Sequence, residues 1–105
     1  MAVLYIREYQ QLGREAYGGA GSIIQAGLEP AVTQQSVAIA ASSGQSNAFN
    51  DSTALVMVHT DAICRITFGT NPTAVATDQR LPADATVYFG VKPGSKLKLA
   101  VISGT

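Results

Sequence analysis

Cysteine occurs once, at Cys64, histidine once, at His59, and tryptophan not at all. A single thiol excludes an internal disulfide framework and a cysteine-based structural zinc site. A reducing compartment would therefore serve for folding. Charge is scarce too: seven Lys and Arg balance seven Asp and Glu, together 13% of the 105 residues, against about 25% in a typical soluble domain. Nucleic acid and anionic membrane are bound through a basic surplus, and this chain has none, so neither is an expected partner. No apolar run approaches the roughly 18–20 residues that cross a bilayer. The opening Met1-Ala2-Val3-Leu4-Tyr5-Ile6-Arg7-Glu8 lacks the basic start and long apolar stretch of a secretory signal, which makes synthesis and assembly in the cytoplasm the expectation.

The charge deficit is filled by Ala, Ser, Thr, Gly, Asn and Gln, while hydrophobic residues reach 47%. That composition suits one domain with one modest core. Its surface of small neutral residues repels neighbours weakly.

Residues 1–12 read as a short strand, with Val3, Leu4, Tyr5 and Ile6 as strand formers. Residues 13–30 hold Gly13, Gly18, Gly19, Gly21 and Gly27, half of the ten glycines, and end at Pro30. Backbone this free is costly to order. Residues 1–35 are therefore expected to be an arm with little core of its own. Removal of residues 1–30 should then leave a β domain, 36–105, folded. Val37 and Ile39 begin a period-two alternation. Residues 53–59 and 62–68, separated by Thr60-Asp61, read as an antiparallel hairpin. Residues 69–82 form a long loop, a kind of segment that usually has a role or a partner. Residues 85–91 and 96–102 alternate again, joined by a Pro93-Gly94 pair suited to a type II turn. The expected fold is all-β: a small antiparallel β-sandwich or barrel, jelly-roll-like, with an extended N-terminal arm.

Catalytic chemistry finds little support. His59 could pair with Cys64 or Ser52, with Asp61 as orienter, but Cys64 sits in an apolar alternation where a thiol behaves as a small hydrophobe. The acidic residues are scattered without the spacing of a calcium loop. Gly18-Gly19-Ala20-Gly21 lacks the Gly-Lys-Ser/Thr ending of a phosphate loop. No catalytic, cofactor or metal residues are expected, and the chain is not read as an enzyme. Residues 80–105 carry net +3 and residues 51–78 net −2, a split that suits either a solvated face or register with a neighbouring subunit.

The stretches Gln45-Ser46-Asn47-Ala48-Phe49-Asn50, Val58-His59-Thr60-Asp61-Ala62-Ile63-Cys64, Phe68-Gly69-Thr70-Asn71-Pro72-Thr73-Ala74, Leu81-Pro82-Ala83 and Tyr88-Phe89-Gly90-Val91-Lys92-Pro93-Gly94-Ser95-Lys96-Leu97 resemble a family of small virion structural proteins of tailed bacteriophages. The opening Leu4-Tyr5-Ile6-Arg7-Glu8-Tyr9 and the Leu28-Glu29-Pro30 step are similar too. The resemblance implies a head decoration (cement) protein on the capsid exterior. Its partners would be the major capsid protein and itself, as a homotrimer or other homo-oligomer. The alternatives are a head-fibre base, a tail accessory protein or a receptor-facing carbohydrate-binding module. An apolar arm can add a strand to an exposed sheet edge. Leu4, Tyr5, Ile6, Tyr9, Ile23, Ile24 and Leu28 are therefore the expected partner-binding residues, with Asn71 and Arg80 from the long loop.

Overall fold

A computed structural model describes residues 2–14 and 23–104. Two-residue alternation builds strands throughout it: β1 (Val3–Tyr9), β2 (Leu12–Arg14), β3 (Ile23–Gly27), β4 (Thr33–Ala38), β5 (Gly44–Gln45), β6 (Leu55–Thr60), β7 (Cys64–Gly69), β8 (Gln79–Leu81), β9 (Thr86–Gly90) and β10 (Lys98–Ser103). There is no helix among the described residues. The strands form a first sheet in the order β4-β1-β6-β9, a second in the order β5-β10-β7-β8, and a two-stranded ribbon, β2-β3. Every pairing is antiparallel.

The inward phase of each strand is apolar, so the two sheets bury one core between them. Leu4, Ile6, Val56 and Val58 come from the first sheet, and Cys64, Ile66, Leu99 and Val101 from the second; all are buried. Phe68 of β7 packs edge-on against Phe89 of β9, with ring centroids 5.1 Å apart, and against Phe49 at 6.3 Å. These aromatic contacts join the sheets. The all-β antiparallel sandwich expected from the sequence is the fold.

From β4 to β10 the strands take the sheets and neighbours of a jelly roll. The place beside β4 that such a fold gives to its last strand is filled from the other end of the chain, by β1. The two ends of the sandwich meet at one corner: Ile39 N–H donates to Ala2 O and Ser103 N–H to Ala40 O.

Three expectations are corrected. First, residues 1–35 are not an arm outside the core. β1 lies between β4 and β6 and pairs with both, and Leu4 and Ile6 are fully buried. The proposed boundary at residue 35 falls inside β4. Glycine abundance hid this, because it is confined to the segment after β1. What extends beyond the first sheet is the ribbon, continuous with the β1–β4 pair through Leu28 N–H donating to Gln11 O at 2.9 Å and Val32 N–H to Glu8 O at 2.7 Å. Gly27 is required where ribbon meets sheet: the Tyr9 ring lies over it and leaves no room for a Cβ. The run Gly18-Gly19-Ala20-Gly21 lies outside the described residues.

Second, β6 and β7 are not a hairpin, since they belong to opposite sheets. Alternation identifies a buried face but does not say on which side of the core a strand lies. The break between them is a corner. The Thr60 hydroxyl donates to Ala62 O at 2.6 Å, Asp61 N–H donates to Val3 O, and Gly104 N–H donates to Ile63 O.

Third, residues 69–82 are not one open loop. β8 closes the edge of the second sheet, and residues 70–78 fold over that sheet's outer face. Gln45 Nε2 donates to Asn71 Oδ1 and Pro72 O, Ala74 N–H donates to Ser43 Oγ, and Arg65 donates to Asp78 O. Pro72 and Ala74 are buried there, as is Ala100, on the outward phase of β10. The expected turn at Pro93-Gly94 is present: Ser95 N–H donates to Lys92 O, and Gly94 takes φ +75°, a conformation open to glycine.

Candidate docking face

Residues 70–78 cover part of the second sheet's outer face, whereas no chain segment among the described residues crosses the outer face of the first. Pairing register places its side chains in rows. Ser36, Tyr5, His59 and Thr86 form one row, and Gln34, Arg7, Met57 and Tyr88 the next. Tyr5 is 45% exposed and Tyr88 41%. The Tyr5 and His59 rings are 6.3 Å apart, tilted by 35°. A shallow groove of about 440 Å³ runs between Tyr5, Arg7, Gln34, Ser36 and Met57. Tyrosine gives an amphipathic contact of low entropy cost, the kind of side chain that anchors interfaces.

One end of this face is braced by a polar network. Arg7 donates to Glu29 Oε1 at 2.8 Å, to the Tyr9 hydroxyl at 3.1 Å and to Gln34 Oε1 at 3.2 Å. The Tyr9 hydroxyl donates to Glu29 Oε2 at 2.8 Å, and Ala31 N–H to Glu29 Oε1. The Tyr9 hydrogen bond, helped by the Arg7 charge, holds the Glu29 carboxyl below its ordinary range. Burial, then the Glu29 hydrogen bond, pushes the Tyr9 phenol up. The network ties the link between β3 and β4 to β1.

A carboxyl with a depressed folded pKa stabilises above its unfolded pKa, about 4.3 for Glu, and that contribution is lost as pH falls through the folded value. The melting-temperature advantage of the wild type over Glu29→Gln should therefore be present near about pH 6 and shrink towards zero near about pH 3. An advantage that does not change with pH would detach Glu29 from this role. Because Glu29 is exposed, the effect is small.

The expected partner-binding residues separate. Tyr5 stands on the open face, and Leu28 is exposed where the ribbon leaves the sheet. Leu4 and Ile6 are buried because β1 lies inside the sheet, and Tyr9, on the outward phase, is buried against Gly27, so none of the three can meet a partner. The side chains of Ile23 and Ile24 lie outside the described residues. Asn71 is exposed but its amide oxygen accepts from Gln45. Arg80 is exposed on β8, opposite Arg65, on the other sheet. These residues do not form one patch.

Sequence reading missed Met57, His59 and Gln34 as face residues and did not group Tyr88 with Tyr5. The signal was present as the outward phase of β6, where Leu55, Met57 and His59 are large for a solvated side. His59 and Cys64 do not pair. His59 is on the outer face, while Cys64 is fully buried, its thiol pushed up by burial and 3.5 Å from Thr60 Oγ1. The Ser52 hydroxyl donates to Asn50 Oδ1 within its own turn.

No family model, curated protein or solved structure matches this chain.

Proposed function

We propose that this chain is a structural virion protein of a tailed bacteriophage, a head decoration protein that docks on the major capsid protein through the outer face of its first sheet. The observation that carries the reading is the contrast between the two outer faces. One is partly covered by residues 70–78, and the other keeps Tyr5 and Tyr88 exposed beside Met57 and His59. The resemblance of the Phe68–Ala74 and Tyr88–Leu97 stretches to phage virion proteins supplies the partner. The ribbon, extended beyond the sheet, would reach a neighbouring subunit. A homo-oligomer, with a trimer as the first expectation, would make many weak contacts act together on a symmetric shell. The protein would be assembled in the host cytoplasm and reside on the capsid exterior.

The test is co-sedimentation of the purified protein with heads that lack it. Saturation at hundreds of copies per head is the expected result. Tyr5→Ser with Tyr88→Ser should weaken binding at least about tenfold, since central aromatic anchors each contribute on the order of 1–4 kcal/mol. The melting temperature should change little, because both side chains face solvent. Saturation at a handful of sites would point to a fibre or tail part. Failure to sediment, with retention on immobilised glycans that Tyr5→Ser abolishes, would favour the receptor-facing module.

A further inference from the structure

We infer that His59, Asp61 and Asp84 form a binding site for a divalent transition-metal ion at the corner where β6 leaves the first sheet. The three residues come from different places: His59 from β6, Asp61 from the β6–β7 corner and Asp84 from the β8–β9 connection. One ligand atom from each lies within 4.8 Å of the others. Ligand atoms on a single tetrahedral ion, with bonds of about 2.1 Å, are about 3.4 Å apart. Closing the site thus takes side-chain rotations that draw the ligand atoms together by up to about 1.4 Å, at side chains that are exposed or half-buried.

The backbone around the site is fixed. Asp84 N–H donates to Thr60 O at 2.8 Å, Thr60 N–H to Ala85 O at 3.1 Å, and Asp61 N–H to Val3 O at 3.2 Å. With Nε2 as the ligand atom, the imidazole would be held from outside the cluster, since His59 Nδ1 is 2.9 Å from the Thr86 hydroxyl. Such an outer partner sets ring orientation in metal-binding histidines. The ion pairs among the described residues, Arg7–Glu29 and Lys96–Asp51, use neither Asp61 nor Asp84. A bound dication would pair with both carboxylates at once.

An imidazole with two carboxylates selects the ion class. Imidazole suits Zn²⁺, Ni²⁺ or Cu²⁺ and is a poor ligand for Ca²⁺ or Mg²⁺, which take oxygen. Three protein ligands leave further positions for water. The ion would staple the β6–β7 corner to the β8–β9 connection at the edge of the open sheet face. The site shares His59 with that face, and Zn²⁺ binding by the free chain does not require the face to be occupied.

Zn²⁺ is the probe. Titration of the full chain at neutral pH, followed by calorimetry and by imidazole chemical shifts, should give one saturable site that broadens or shifts His59. Asp61→Asn and Asp84→Asn should each weaken it by about tenfold or more, and Thr86→Val by about tenfold, as loss of an outer partner does. Asn tolerates the left-handed backbone of Asp84, whose φ is 58°, so that variant keeps the fold, which circular dichroism would verify. Absence of a saturable site, or a site unchanged in both Asn variants, would overturn the inference. Mg²⁺ binding as tightly as Zn²⁺ would overturn the assignment of His59 as a ligand.

Discussion

Deletion of residues 2–11 is expected to abolish cooperative folding. β1 supplies Leu4 and Ile6, both with no exposed surface, and truncating each of such side chains to Ala costs about 2–5 kcal/mol. Taken together that is comparable to the whole stability of a small domain, about 5–15 kcal/mol. Deletion also removes the strand between β4 and β6. Both would be left with a bare edge inside the sheet, which invites aggregation. Excision of Leu12–Gly27, with an Asn-Gly turn joining Gln11 to Leu28, is the matched control. Those ends are already bonded, Leu28 N–H to Gln11 O, and two residues suffice for a hairpin turn. The excised protein should keep a single cooperative thermal transition, while the deleted one should lack it in circular dichroism and in urea. A folded deletion mutant would restore the reading of the N-terminal segment as an appended arm.

That reading failed for a physical reason that separates what was legible from what was not. Strand existence was written in the alternation: Val56-Met57-Val58 and Leu99-Ala100-Val101 carry it plainly, and the turn at Pro93-Gly94 follows from glycine's freedom at φ > 0. Partnership was not. The first strand's sequence, Val3 to Tyr9, is the same whether it lies on a core or on a neighbour, and only the placement of β4 and β6 decides. The β6–β7 break illustrates the same limit, since two strands three residues apart can turn back in one sheet or cross to the other. The open face was half legible. Tyr5 could be named as a partner contact, but pairing across β1, β6 and β9 is what brings it to one surface with Tyr88. The cluster of His59, Asp61 and Asp84 was illegible, because Asp84 reaches the others through a connection between strands of opposite sheets.

The second large effect belongs to Glu8. It lies on the inward phase of β1 with Leu4 and Ile6 and is 1% exposed, yet no Lys or Arg pairs with it among the described residues. Three donors hold it instead: Asn50 N–H at 2.7 Å and the Thr53 hydroxyl at 2.8 Å on Oε1, and Gln35 Nε2 at 3.2 Å on Oε2. Thr53 is itself buried. Gln35 in turn accepts from Asn47 N–H. Glu8 therefore organises the connection from β5 to β6, residues 46–54, from beneath. Glu8→Ala would leave the Asn50 and Thr53 donors without an acceptor, at about 1–3 kcal/mol for each buried orphan, and would open a void in addition. A loss of about 4 kcal/mol in chemical denaturation is expected. Glu8→Gln should recover about half of it, because the amide oxygen still accepts from Asn50 and Thr53, while the new amide NH2 meets the Gln35 Nε2 donor that Asn47 holds in place. Glu8→Leu separates volume from hydrogen bonding: it fills the space and still orphans the donors, so it should be less destabilising than Glu8→Ala yet clearly less stable than wild type. Were Glu8→Leu as stable as wild type, water would be reaching those donors and the connection would not depend on the carboxylate.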